Sequence, residues 1–291
     1  MRRPRVAYLA LAFAALLFGS TFVVVKEAVA DLPPLAFVGW RFLLGAAAML
    51  LLGIPRGRTL WRDGLVAGLL LFAGYATQTI GLAHTTASNS GLITGLYVVF
   101  TPLLAAVVAR RAPRFLVTAG AVLACAGLAL LTLEDGFTLR KGDLLTVACA
   151  VSYAAHIVYL SRVASRHRVI PLTAVQLAVV AAGGLATSAV FEGLQLPSAR
   201  VWPALLLTGL AVSGGAFFLQ VWSQTVIGPS RTAIILALEP AFAAALAAIV
   251  LGERLTAAGW VGAGLILAGI YAALGGEEEP LPTAEALTAA H

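Results

Sequence analysis

Charge is what this chain of 291 residues has least of: Asp, Glu, Lys and Arg make up 11% of it, against 60% hydrophobic residues and a mean hydropathy of +0.96. A soluble globular domain carries roughly 25% charged residues, so the balance excludes one and places the chain in a bilayer. Cysteine is almost as scarce, with Cys125 and Cys149 the two present. Both fall inside apolar stretches, where they read as small core residues and carry no disulfide or compartment signal. The fingerprint G-x-x-x-x-G-K-[ST] is missing, so ATP is not an energy source held within this chain and no cofactor is expected. Also missing are H-E-x-x-H, G-x-S-x-G and any clustered acidic pair within the apolar stretches, which leaves an intramembrane enzyme without a catalytic constellation and no metal site.

What is present is apolar length. Crossing the hydrocarbon takes about 20 mostly apolar residues as helix. Ten such stretches stand near 7–29, 33–53, 64–83, 88–109, 115–133, 143–163, 170–191, 201–222, 229–251 and 257–275. The expected fold is therefore an all-α membrane protein of ten transmembrane helices. Cytoplasmic loops collect Lys and Arg. With the N-terminus inside, the inner segments hold thirteen basic residues, from Arg2, Arg3 and Arg5 to Arg231. The outer loops hold four, Arg140, Lys141, Arg200 and Arg254. Both termini are expected to be cytoplasmic, in a multi-pass protein of a bacterial inner membrane. The net charge of +6 then meets anionic lipid at helix ends and calls for no nucleic acid.

Residues 1–30 also admit a reading as a cleaved signal peptide, with Ala28-Val29-Ala30 as the cleavage site. The apolar run exceeds the roughly 7–15 residues of a signal core, and its removal would leave an odd number of spans, so it is expected to remain as the first helix. The end of the chain, 277–291, carries Glu277-Glu278-Glu279, Pro280 and Pro282 and reads as a disordered cytoplasmic tail.

The chain repeats itself. Residues 228–255, GPSRTAIILALEPAFAAALAAIVLGERL, are apolar with Glu239-Pro240 near the middle, and 90–109, SGLITGLYVVFTPLLAAVVA, are an earlier version of them. Aligning Pro102 on Pro240 sets Ala105-Ala106 against Ala243-Ala244, an offset of 138, and pairs Thr101 with Glu239. Gly120 and Gly127 match Gly262 and Gly269 at an offset of 142, as Tyr75 and Gln78 match Phe217 and Gln220. Small residues at equivalent helix positions read as packing seams. The halves are set at 1–138 and 139–276. Five spans in each half make the second enter the membrane in the opposite sense, an inverted repeat, whose substrate site is expected near the midplane where interrupted helices from the two halves meet. Pro102 and Pro240 are the expected breaks; Pro102 cannot donate to the carbonyl of Val98.

Polar residues in such helices must face protein or water. Tyr75, Gln78 and Thr79 share one helical face, and Ser90, Thr94, Tyr97 and Thr101 form a stripe at helical spacing. Interhelical hydrogen bonding, with close packing through Gly91-x-x-x-Gly95, is the bland alternative to substrate contact. Tyr153, His156 and Tyr159 lie along one side of the sixth span. His156 is either a responder to physiological pH or a neutral ring bonded to Ser152 or a neighbour. Ser213, Phe217, Gln220 and Gln224 share a face of the eighth. Lys26, near the outer end of the first span, either lifts its ammonium to the headgroups or serves an outer gate. Arg41 lies about 10–12 Å down the second span and faces the bundle. Glu239 lies about 15 Å deep, too far for a short carboxylate to reach water past lipid, so it is protonated, paired or turned to a wet cavity. Glu253-Arg254 reads as a pair at a helix end.

The residues 18–20 (Phe-Gly-Ser), Lys26, Pro34, Arg41-Phe42, Pro102, Leu238-Glu239-Pro240 and 251–255 (Leu-Gly-Glu-Arg-Leu) resemble the EamA family of the drug/metabolite transporter superfamily, in order and spacing along nearly the whole chain. The resemblance implies ten helices in two inverted five-helix repeats, a central cavity, and alternating-access movement of small metabolites, often the export of amino acids. One departure is that the first half has no L-G-E-R-L after its proline: residues 108–114, VARRAPR, replace it and read as about four residues shorter.

The expectation is thus a secondary transporter or facilitator for a small polar, neutral or zwitterionic solute. Tyr75, Gln78, Thr94, Tyr97, His156, Gln220 and Trp222 form its wall, Glu239, Lys26 and Arg41 serve coupling or gating, and a proton gradient is one energy source open to it. A proton-coupled exporter of cationic drugs, with Glu239 alternating between proton and drug, is the second reading.

Overall fold

An apolar run in lipid has no water to satisfy its backbone, so it closes its own hydrogen bonds as helix. The computed structural model describes residues 2–110, 112, 115–133, 140–226, 232, 235–236, 238–254 and 256–275, and every regular element among the described residues is a helix. In order these are α1 (Arg2–Ala28), α2 (Pro34–Leu52), α3 (Arg58–Ala83), α4 (Ala87–Thr94), α5 (Tyr97–Val108), α6 (Phe115–Leu133), α7 (Lys141–Val163) and α8 (Val169–Phe191). Then follow α9 (Trp202–Leu206), a π-helical stretch (Leu207–Ala216), α10 (Phe217–Val226), α11 (Glu239–Val250) and α12 (Ala257–Gly275). The tail at 277–291 and the boundary between halves at 138–139 lie outside the described residues.

Among the described residues, seven helical stretches are long and apolar enough to cross a membrane, and apolar helices also occupy the fifth, ninth and tenth places. In the ninth, a helix opens at Glu239 with Pro240 in the first turn, where a residue without an N–H costs no helical bond, and the described residues 232 and 235–236 before it are helical as well. The fourth is two helices, with Gly95-Leu96 between α4 and α5. The large apolar residues on the outside, among them Leu51 (89% exposed), Phe115 (83%) and Ile249 (79%), suit a surface that faces lipid rather than water.

Inside, helices meet through small residues, which let backbones approach where lipid gives no hydrophobic drive to associate. The expected glycine seams face one another across α6 and α12: a Cβ on Gly127 would lie 2.5 Å from the Gly262 carbonyl oxygen, and one on Gly269 would lie 2.5 Å from that of Gly120. Elsewhere α2 packs on α8 and on the π-helical stretch, and α3 on α7 and α8. Also packed are α1 on α10 and α11, and α4 on α7 and α11.

Side chains from distant elements cap the helix ends opposite the start of α1. Pro33 at the head of α2 has no side-chain acceptor for the first N–H groups. Glu192, just past α8, supplies one, accepting from Leu35 N and Ala36 N at 3.0 Å each. Replacing Glu192 by Ala is expected to cost about 1–2 kcal/mol of stability, the usual loss for a helix cap, and Gln, which keeps one oxygen, less. Thermal unfolding of both variants in detergent measures this, and equal midpoints for Ala and wild type would rule the cap out. Lys26 and Glu253 treat the α3–α4 turn in the same manner. The Lys26 ammonium donates to the carbonyls of Leu82 (2.8 Å) and Thr85 (2.5 Å), where α3 ends with unpaired, partly negative oxygens. Glu253 accepts from Ala87 N, Ser88 N and the Ser88 hydroxyl at 2.6–3.0 Å, where α4 begins with unpaired N–H groups. So Lys26 sits on a helix end rather than among headgroups, and Glu253 binds α4, not its neighbour Arg254.

Candidate functional site

Six segments converge on one cavity. Its wall takes Phe18 and Thr21 from α1, Leu71, Tyr75 and Gln78 from α3, Tyr97 from α5, and Tyr153, His156 and Ile157 from α7. Phe217 and Gln220 of α10, Leu236, and Glu239 of α11 complete it. Counted from the first cavity residue of each helix, these positions recur every three or four residues, so each helix turns one stripe toward the space. The cavity holds about 430 Å³ of empty space, mouth included, a size for a small solute rather than a chain.

The two interrupted segments cross here. A Cβ on Gly95, in the break between α4 and α5, would fall onto Pro240 Cγ, and one on Gly91 would lie 2.5 Å from Ala243 Cβ. On the far side Gly19 of α1 lets the backbone of Glu239 come close, its Cβ position being 2.8 Å from the Glu239 carbonyl oxygen. The register of this crossing corrects the alignment on the prolines. Helices α5 (Tyr97–Val108) and α11 (Glu239–Val250) are each 12 residues long and start and end 142 positions apart. Each is followed, two residues after its last, by a residue in the left-handed region, Arg110 (φ 52°) and Gly252 (φ 66°). Tyr97, not Thr101, is therefore the counterpart of Glu239. Six residues separate α5 from α6 and six separate α11 from α12, so the first connection is not four residues shorter. Pro102 lies inside α5 and breaks nothing; the interruption is at Gly95-Leu96, where the crossing with Pro240 demands a residue without a side chain. Pro240 does stand at a helix start.

Hydrogen bonds order the polar wall. The Tyr97 hydroxyl lies 3.1 Å from Glu239 Oε2 and 3.1 Å from the Leu236 carbonyl oxygen. Its single hydrogen serves one of these two acceptors; a proton on Glu239 would let the carboxyl donate to Tyr97 and release that hydrogen to Leu236. Tyr153 donates to Gln78 Oε1 and Gln78 Nε2 to Thr94 Oγ1, each at 3.2 Å. Thr94 thus stands one bond behind the wall. His156 Nε2 lies 2.8 Å from Gln176 Oε1, and Gln176 Nε2 donates to the Leu172 carbonyl at 3.2 Å. The amide is oriented by that second bond, which makes His156 the donor through Nε2. Its partner is Gln176, not Ser152, whose hydroxyl turns back to the Ala148 carbonyl.

Of the residues expected in the wall, Tyr75, Gln78, Tyr97, His156 and Gln220 line the cavity together with Glu239. Trp222 does not; it is half-buried near the end of α10, on the edge of the core, a position that suits an indole at a membrane interface. Arg41 lies behind the wall, its Nε donating to Ser213 Oγ at 2.9 Å, with its guanidinium 5.1 Å from the centre of the Tyr75 ring. Lys26 is at the end of the bundle. Not among the expected wall residues are Phe18, Thr21, Leu71, Tyr153, Ile157, Phe217 and Leu236; of these, Phe18, Phe217 and Tyr153 join Tyr75 and Tyr97 in a chain of ring contacts at 5.1–6.4 Å. Gly74 was a signal for Tyr153, since the tyrosine ring occupies the place a Cβ there would take.

The chain was then compared with known proteins. The model of the EamA-like transporter family matches residues 5–133 and again 140–275. An uncharacterized transporter of Archaeoglobus fulgidus is 35% identical over 90% of this chain and 83% of its own. The uncharacterized transporter YoaV of Bacillus subtilis is 25% identical over 88% of this chain and 92% of its own. A solved crystal structure, 22% identical, superposes with a TM-score of 0.68 over 92% of this chain and 96% of that one, a likeness of fold alone. With both halves matched and relatives along its length, the chain belongs to the EamA-like transporter family: it is a multi-pass helical membrane protein that moves small solutes, and not an enzyme.

Proposed function

We propose that this transporter carries small polar metabolites, amino acids or related zwitterions, out across the inner membrane by alternating access. The observation that carries the reading is a single carboxylate, Glu239, set in an aromatic and amide-lined cavity at the crossing of two interrupted helices. The ten helices are read as two inverted repeats, 1–138 and 139–276. Support comes from the packing of the described residues: exchanging α1 with α7, α2 with α8, α3 with the α9–α10 segment, α4–α5 with α11, and α6 with α12 maps the most extensive contacts onto one another, α3 on α7 onto α1 on α10, α3 on α8 onto α2 on the π-helical stretch, and α1 on α11 onto α7 on α4–α5. The excess of basic residues on one side supports cytoplasmic termini. Tyr75, Gln78, Tyr97, His156 and Gln220 contact the solute, Thr94 holds Gln78, and Glu239 couples or gates. Tyr97 and Glu239 form the joint between the halves, with Gly95 and Pro240 as the hinge contact.

A second reading, proton-coupled export of organic cations, is favoured by one feature: the wall sets five aromatic rings around a carboxylate and, among the described residues, includes no Lys or Arg, a setting that attracts cations. Reconstitution of the purified protein in liposomes decides between them. Saturable flux of amino acids, weakly inhibited by quaternary ammonium compounds, is the expected result. Flux of the ammonium compounds alone would favour the second reading, and no saturable flux of either would end both.

A further inference from the structure

Among the described residues, Arg41 is a charge without a countercharge. It lies within α2, is 2% exposed, and its Nη2 has no hydrogen-bond partner. Its Nε donates to Ser213 Oγ at 2.9 Å, and its guanidinium carbon lies 5.4 Å and 5.1 Å from the ring centres of Phe42 and Tyr75. Among the described residues the ion pairs join Asp63 to Arg62 and His167, and Asp31 to Arg200, and none reaches Arg41. A buried guanidinium that lacks an anion is costly, and the two ring faces offset only part of that cost.

Its place next to the cavity suggests what the missing anion is. Tyr75, which covers the guanidinium, is itself a wall of the cavity, as is Phe217, one turn beyond Ser213. From Tyr75 the ring contacts run through Tyr153 (5.3 Å) to Tyr97 (6.4 Å), the residue bonded to Glu239. An acid and a base, not paired with each other, therefore stand at the two ends of one row of tyrosines along the cavity. A solute with one charge would leave one of them unmatched. A solute with both an ammonium and a carboxylate matches both.

We propose that Arg41 selects for the carboxylate of the substrate: its unpaired Nη2 takes a carboxylate oxygen once the Tyr75 ring turns aside, while the ammonium of the same solute faces Glu239. Arg41 is then the specificity-determining residue of the cavity, and the substrate class is a zwitterion rather than an amine. This rests on the carrier reading of the same cavity. The fixed fork of the guanidinium suits a carboxylate in a way that the single point charge of Lys does not.

The test is isothermal titration of the full chain in detergent with leucine and leucine methyl ester, which keeps the ammonium and lacks the anion. Wild type is expected to bind leucine more tightly than the ester by about tenfold or more, the loss expected of one charge-assisted hydrogen bond. In Arg41→Gln the preference should vanish or reverse, and Arg41→Lys should keep part of it. Equal binding of acid and ester by wild type overturns the proposal with no variant needed, even if Arg41→Gln fails to fold. So does a preference that survives unchanged in Arg41→Gln. Tight binding of the ester alone would leave a carrier of cations and remove both the zwitterion class and the role of Arg41. Saturable leucine flux in liposomes alongside an unchanged acid-to-ester ratio would keep the carrier reading and overturn only the assignment to Arg41.

Discussion

Glu239→Gln is expected to abolish most of the flux driven by a pH gradient, by at least about tenfold, or ~1.4 kcal/mol, while the protein remains folded. Gln has nearly the shape of Glu and keeps an oxygen for the Tyr97 hydroxyl, so the crossing of α5 and α11 should hold. What it removes is the ability to gain and lose a proton, and with it the exchange of the Tyr97 hydrogen between Glu239 and the Leu236 carbonyl. Solute exchange without a gradient, which needs no net proton movement, should fall less than gradient-driven accumulation. Side-by-side measurement in liposomes with and without an imposed pH difference separates the two. If accumulation and exchange decline together, Glu239 serves binding or structure and not coupling.

Gly95→Val should be the most damaging single change to the fold of the site. The backbone at Gly95 has an ordinary right-handed conformation (φ −54°, ψ −18°), so a side chain meets no conformational penalty there. It meets Pro240, whose Cγ occupies the place of the new Cβ, and the Leu92 carbonyl oxygen at 3.1 Å. Overpacking of this kind costs about 1–3 kcal/mol, and here the strain falls on the contact that joins the two halves. Val should lower the unfolding midpoint and reduce flux more than tenfold, with Ala less severe. Pro240→Ala takes away the obstructing Cγ. Adding it to Gly95→Ala should therefore restore part of what Gly95→Ala loses, since residues in contact are not additive. Strict additivity of the two would show that Gly95 acts somewhere other than at Pro240.

Much of this was open to view in the chain itself. A polar residue in an apolar helix has nowhere to go but inward, and for that reason Tyr75, Gln78, Tyr97, His156, Gln220 and Glu239 could be placed near one space before any coordinates. The glycine seams of α6 and α12 were equally plain, because small residues recur at one offset. The apolar part of the wall was less so: Phe217 shares a face with Gln220, but Phe18 and Leu71 look in sequence like residues that meet lipid, since water is excluded from both settings and only neighbours tell them apart. The register was not. Two prolines invited an alignment at an offset of 138, but proline can stand in the first turn of a helix, as Pro240 does, or within one, as Pro102 does. Composition and helical periodicity thus determined by themselves that the protein is a helical membrane protein with a polar interior, since lipid leaves the backbone no other choice. The tertiary structure alone decided which charges have partners. Lys26 and Glu253 found theirs on the ends of α3 and α4, contacts that join residues more than 50 positions apart. Arg41 found none among the described carboxylates, because partnership depends on where helices cross, and a sequence does not record the crossing.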